Sequence, residues 1–189
     1  MIVSYVGKAG RLYEPNETVP GAANVVSKFL RTGYLWDHVR VIGGAYGGFC
    51  TFSPDDGIFS FLSYRDPNLA DTIDVYDNAA DNLLESSEIL ANDPDALATA
   101  IIGTIGDMDS ALSPDQKGWL SLTQWIKRES PETRQQLRDE VLNCKAEDFK
   151  EFGERLKQMK ETSVAVVSSK GAFEAAAEAG KKMKLAEVV

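Results

Sequence analysis

The sequence predicts an α+β fold: a mixed β-sheet with a central hairpin, covered on one face by a block of helices. Three observations lead there. Aromatic and β-branched runs flank the turn-forming string SPDDG, Ser53 to Gly57, which predicts a β-hairpin. From Asn68 onward, apolar residues recur at steps of three and four through several consecutive segments, each opened by a capping residue. Strands and helices do not alternate regularly enough for a doubly wound sheet. The 189 residues suit one domain, 1–189, long enough to bury a sizeable core.

Each element has its own justification. IVSYVGKAG alternates apolar with small or polar residues and reads as a strand ending at Gly7 or Gly10. It begins almost at Met1, so its first part is expected to be cut short. In GAANVVSKFLRT, the stripe Ala22, Val25, Val26, Phe29 and Leu30 predicts a helix that Gly33 ends. YLWDHVRVI places Leu35, Val39 and Ile42 on one side at helical spacing, with Gly43 or Gly44 as the left-handed residue after the helix. Three of the four residues in VRVI are β-branched, which also suits the start of a strand.

After the hairpin, Asp66-Pro67-Asn68 opens a long helix carrying Leu69, Ile73, Tyr76, Ala80 and Leu83. Asp93-Pro94, Ser113-Pro114 and Ser130-Pro131 each supply a cap followed by a proline at the first helical position. Gly103 and Gly106 fall inside the first of these helices, where close packing on a neighbour would explain them. KAEDFKEFGERLKQMKE carries Phe149, Phe152, Leu156 and Met159 as its apolar stripe. SVAVVSS, Ser163 to Ser169, suits a short buried strand, and GAFEAAAEAG a last helix.

A net charge of −9 argues against nucleic-acid binding, because phosphate contacts need clustered Lys and Arg. Lys181, Lys182 and Lys184 read as a solvated tail. The acidic balance suits a surface that attracts cationic peptides. No run approaches the roughly 18 apolar residues that cross a bilayer, and MIVSYVGKAG has neither the basic flank nor the apolar core of a secretory signal. Cys50 and Cys144 do not make a disulfide framework, and Cys50, in an apolar run, reads as core. His38, the single histidine, reads as a helix-surface or packed residue and cannot build a zinc site of its own. Trp36, Trp119 and Trp125 read as core or interface anchors.

The string VRVIGGAYGGFCTF holds the candidate chemistry. It is neither G-x-G-x-x-G nor a P-loop, which sets nucleotide binding aside. Arg40 and Tyr46 are both hydrogen-bond donors able to stabilise the negative charge that peptide-bond hydrolysis builds on a carbonyl oxygen. Gly43, Gly44 and Gly47 beside the tyrosine would let a substrate backbone approach closely. The same residue types also fit a tyrosine packed beside the hairpin and an arginine paired with an acid. In SYRDPNLADTIDVYD, Arg65 and Asp66 could meet a ligand at a strand end, although a helix start explains Asp66, Pro67 and Asn68 without one.

YLWDHVRVIGGAYGGF and LSYRDPNL, continued by AIIGTIGDMDS, QKGWLSL and SVAVVSS, resemble the C-terminal part of the presequence proteases. These form a branch of the pitrilysin (insulin-degrading enzyme-like) family of zinc metallopeptidases. The resemblance covers most of the chain and implies the last of four α+β domains in a clamshell enzyme that degrades targeting peptides and other short unfolded peptides. It implies an Arg and a Tyr at the scissile bond, which fall on Arg40 and Tyr46. It places zinc in the parent enzyme, held by an H-x-x-E-H motif in the N-terminal half, whose bound water attacks the peptide. This chain, without that motif, is then expected to bind no metal and to be inactive alone. The implied partners are a peptide substrate and the zinc-bearing half, without nucleic acid or membrane, in the mitochondrial matrix or chloroplast stroma. The alternative is a non-catalytic binding or assembly module of the same fold.

Overall fold

The computed structural model describes residues 3–186; the expected strand start at Ile2 lies outside them. Strand β1 (Ser4–Arg11) is followed by helix α1 (Ala22–Thr32), a π-helix (Trp36–Ile42), and the hairpin strands β2 (Gly47–Ser53) and β3 (Ile58–Asp66). Five helices then run consecutively: α2 (Leu69–Asn92), α3 (Pro94–Met108), α4 (Pro114–Lys127), α5 (Pro131–Leu142) and α6 (Ala146–Lys157). Strand β4 (Lys160–Val167) and helix α7 (Lys170–Glu178) complete the order. The α+β class is the one expected.

The sheet has the order β2-β3-β1-β4 and is antiparallel throughout, where a mixed sheet was expected. The hairpin therefore occupies one side of the sheet rather than its centre. Period-2 alternation in β3 sends Phe59, Phe61 and Ser63 inward, while Ser60, Leu62 and Tyr64 face the other way. On the covered face, α1 packs on β2, α2 on β1 and β3, and α6 on α2. Phe59, Phe61, Tyr76, Phe149, Leu30, Leu83 and Val6 fill the space between them, each under 3% exposed. Burying side chains of this size contributes about 1.5–3 kcal/mol apiece.

The caps behave as their residue types predict. Asp93 accepts the Ala96 N–H at 3.0 Å, Ser130 the Thr133 N–H at 3.2 Å and Ser169 the Ala172 N–H at 3.2 Å. At the hairpin, Gly57 takes φ +70° and its carbonyl accepts the N–H of Leu12 and of Tyr13.

Four expectations change. Among the described residues strand β4 is an edge strand paired with β1 alone, and Val164 and Val167 are 41% and 72% exposed, so the β-branched run is not buried. Of the two readings of the tryptophans only the core one is excluded: Trp36, Trp119 and Trp125 are all exposed, and α4, which carries two of them, has no buried residue. Lys181 is not part of a solvated tail but pairs with Asp74 and Asp77 on α2, fastening the chain after α7. Close packing does not explain the helical glycines. A Cβ at Gly103 would meet only the Lys28 side chain at 3.7 Å, and one at Gly106 would meet nothing within 4 Å.

Open space around Gly106 makes Gly106→Ala a stabilising change, because alanine loses less backbone entropy in a helix. The expected gain is about 0.5–1 kcal/mol, measured as a rise in the urea midpoint with unchanged slope; a loss of stability would show a packing role.

Candidate functional site

The segment bearing Arg40 and Tyr46 begins in the π-helix. Its wider winding is visible at the end, where the Gly43 N–H reaches the His38 carbonyl at 3.0 Å. The alternative of a strand at VRVI is excluded. Leu35 and Val39 are buried as helical spacing predicts, but Ile42, expected beside them, is 74% exposed because the π-turn carries it off that face. The Arg40 guanidinium lies over the Trp36 ring, 4.0 Å from its centroid, a cation–π contact rather than an acid pair. His38 is exposed beside Tyr34, with ring centroids 4.6 Å apart.

The glycines that follow have separate reasons. Gly44 takes φ +72°, the left-handed conformation that ends the helix. A Cβ on Gly43 would lie 2.7 Å from the Val39 carbonyl oxygen, and one on Gly48 2.6 Å from the Val39 Cβ. At Gly47 a Cβ would fall 2.3 Å from the Tyr64 ring, so the cross-strand tyrosine lies across that glycine. Tyr46 itself is 59% exposed, with its ring 5.3 Å from the Tyr64 ring. Both sequence-predicted donors thus stand at the surface, on either side of one short turn.

The turn is fixed from the interior. Asp66 is fully buried, and its carboxylate accepts the Ser63 hydroxyl at 2.6 Å, the Thr72 hydroxyl at 2.7 Å and the Asn68 N–H at 2.9 Å. Asn68 sits at the start of α2 but does not cap it with its side chain. Instead its Nδ2 donates to the Gly43 carbonyl at 2.6 Å, tying the turn to the helix start. The helix-start explanation of Asp66 and Asn68 is therefore right, although the hydrogen bonds differ from a simple cap.

Arg65 is a different matter. The register between β1 and β3 slips at this point: Ser4 pairs with Asp66 and Tyr5 with Tyr64, leaving Arg65 as the extra residue of a β-bulge. Its φ is +50°, in the left-handed region. Its guanidinium lies 5.5 Å from the centroid of the Tyr46 ring. Among the described residues, the arginine ion pairs involve Arg11, Arg31, Arg138 and Arg155, and neither Arg40 nor Arg65 takes part in one. Tyr64 and the bulge complete the surroundings of Tyr46, and no sequence spacing announces a bulge.

Burial pushes the Cys50 thiol up to about 12, and its Sγ donates to the Ser27 carbonyl. Burial, with Asp148 nearby, likewise pushes Cys144 up to about 12. A cleft of about 450 Å³ between α1 and α3 is lined by Lys28, Arg31 and Asp107, and both cations pair with the Asp107 carboxylate. Among the described residues, no three His, Cys, Asp or Glu side chains converge on one point, so they do not fit a zinc ion.

The family model described as PreP C-terminal domain matches residues 1–170. Presequence protease 1, chloroplastic/mitochondrial, of Arabidopsis thaliana is 46% identical over 164 residues, covering 87% of this chain and 15% of that protein. Protein HypA of Clostridium perfringens is 34% identical over 168 residues, covering 88% of this chain and 17% of its own length. The chain thus spans only about a sixth of these relatives. Among solved structures, pitrilysin superposes with a TM-score of 0.60 at 12% identity, over 87% of this chain and 18% of that one. A putative zinc protease from Bordetella pertussis Tohama I superposes with a TM-score of 0.61 at 14% identity, over 87% and 93%. At these identities the two structures establish the fold alone.

Asn68→Ala removes the tie to Gly43 and is expected to cost about 1 kcal/mol of stability, read as a lower urea midpoint; an unchanged midpoint would show that the turn holds itself. Cys50 and Cys144 are expected to resist iodoacetamide at pH 8 in the folded chain and to react after denaturation, as followed by mass spectrometry. Unfolding returns each thiol to the ordinary value of 9.0, so stability is fully present below about pH 9 and falls as pH rises towards 12.

Proposed function

This chain belongs to the family of presequence protease C-terminal domains, and on that premise we propose that it serves as the closing domain of a zinc peptidase. Its substrates are targeting peptides and other short unfolded peptides. Arg40 and Tyr46 donate hydrogen bonds to the peptide at the scissile bond and stabilise the negative charge that develops on the carbonyl oxygen. Gly43, Gly44 and Gly47 shape the turn that presents them. The observation that carries this reading is the pair of exposed donors on one interior-anchored turn, the arginine without an acid partner among the described residues.

Arginine and tyrosine suit the task for different reasons. The guanidinium keeps its charge at any working pH and presents several N–H groups in a fixed fork. The phenol is a neutral donor on a stiff ring, and packing against Tyr64 limits its swing. Placed close to a developing oxyanion in a site closed to water, two such donors act in a low dielectric, where they are worth far more than at an open surface. That closure needs the rest of the enzyme, and the chain alone is inactive in this reading. The metal belongs to the zinc-bearing half, the partner domain across the peptide. The mitochondrion or chloroplast is the proposed location, by kinship with the Arabidopsis relative. Among the described residues no helix is long and apolar enough to cross a membrane.

In a peptidase carrying this domain together with its zinc-bearing half, Tyr46→Phe and Arg40→Ala are each expected to lower kcat/KM for a quenched fluorescent peptide by roughly 100-fold. Unchanged turnover in both variants would remove the role. Mixing this chain with the zinc-bearing half separates the two readings of the fold: restored cleavage supports the peptidase, and tight association without cleavage supports an assembly module.

A further inference from the structure

We propose that Arg65 is a third substrate-contacting donor of this surface, binding a main-chain carbonyl oxygen of the peptide beside Tyr46. The inference rests on the peptidase reading above.

The bulge explains where Arg65 is but not why it is an arginine. Alternation along β3 turns residues 59, 61 and 63 inward, and an unbroken strand would turn residue 65 inward as well, burying a guanidinium. The extra residue reverses the phase, so that Asp66 enters the interior and Arg65 reaches the surface. This manoeuvre needs a residue that tolerates the left-handed region, where glycine and asparagine are at ease and a long side chain is strained. Strained backbone of this kind clusters where a side chain serves a ligand.

The surroundings narrow the role. Arg65 lies over Tyr46, is exposed, and has no acid partner among the described residues. The Tyr46 N–H meets the Arg65 carbonyl at 3.4 Å, so the backbones of the two residues move together. A guanidinium has donors only, so its ligand must supply an acceptor oxygen. With Arg40 and Tyr46 already proposed to bind the peptide at the reacting bond, the neighbouring acceptor is the next carbonyl that faces the same side of an extended chain. The contact is independent of side-chain identity, as befits an enzyme acting on unfolded peptides of varied sequence.

The test uses the peptidase carrying this domain and two variants, Arg65→Asn and Arg65→Lys. Asparagine keeps the left-handed backbone and removes the cation, and lysine keeps the charge without the fork. Two quenched peptides serve as substrates, one with internal glutamate and a free C-terminus, one amidated and free of carboxylates. Arg65→Asn is expected to raise KM roughly tenfold for both peptides, the size of one lost hydrogen bond to a charged donor, with Tm held. Arg65→Lys should recover part of the loss. An unchanged KM in Arg65→Asn, an effect confined to the carboxylate-bearing peptide, or a loss that tracks a fall in Tm would each overturn the proposal. If Tyr46→Phe and Arg40→Ala still impair turnover in that case, the peptidase reading stands without Arg65; if they too are silent, both fail.

Discussion

The buried carboxylate of Asp66 is the constraint on which the candidate site depends. A carboxylate taken out of water is costly unless donors surround it, and here Ser63, Thr72 and the Asn68 N–H supply three. Those donors come from the strand before it and the helix after it. Satisfying the charge therefore fixes the angle at which α2 leaves the sheet. It also requires the bulge, because only a change of phase turns Asp66 inward while Phe59 and Phe61 stay in the core. The Asn68 side chain, not needed as a cap, is then in place to hold the Gly43 carbonyl. One interior charge thus reaches, through a single intermediate residue, the turn between Arg40 and Tyr46.

Much of the fold is legible in the sequence because its signals are local. Ser-Pro and Asp-Pro strings open helices wherever they occur, since the cap and the fixed φ of proline act within one turn. SPDDG forms the hairpin for the same reason. What escapes is set by partners distant in sequence. The run SVAVV has the composition of a buried strand, yet its position at the sheet edge is decided by pairing with β1. The bulge at Arg65 depends on the register of β1 against β3, which no spacing within LSYRDPNL reveals. The π-winding of WDHVRVI leaves no mark in a spacing of 3.6 residues per turn, and so helical spacing puts Ile42 on the wrong side.

The site residues divide the same way. Arg40 and Tyr46 are readable as donors from residue type and from their places around the glycines. Arg65 is readable as a residue but not as a neighbour of Tyr46, because that contact crosses from the end of β3 to the start of β2. Gly47 reads as room for a substrate backbone, whereas the structure explains it by what leans on it, the Tyr64 ring. The result is a surface in which aromatic rings hold the charged groups: Trp36 beneath Arg40, Tyr46 beneath Arg65, and Tyr64 against both Tyr46 and Gly47. Such contacts orient a guanidinium without neutralising it, which leaves its donors for a ligand.

The π-helix makes chain length, rather than residue choice, the variable that aims Arg40. A π-turn holds more chain than the α-turn it replaces, and a one-residue deletion between Trp36 and Ile42 could be absorbed as ordinary α-helix. Each helical residue advances the side chain by about 100°, so a deletion between Trp36 and Arg40 would change the angle at which the guanidinium meets the Trp36 ring. In evolutionary terms, a single codon inserted or removed there would reset the direction of the Arg40 side chain in one step. Point substitution alone explores that axis poorly.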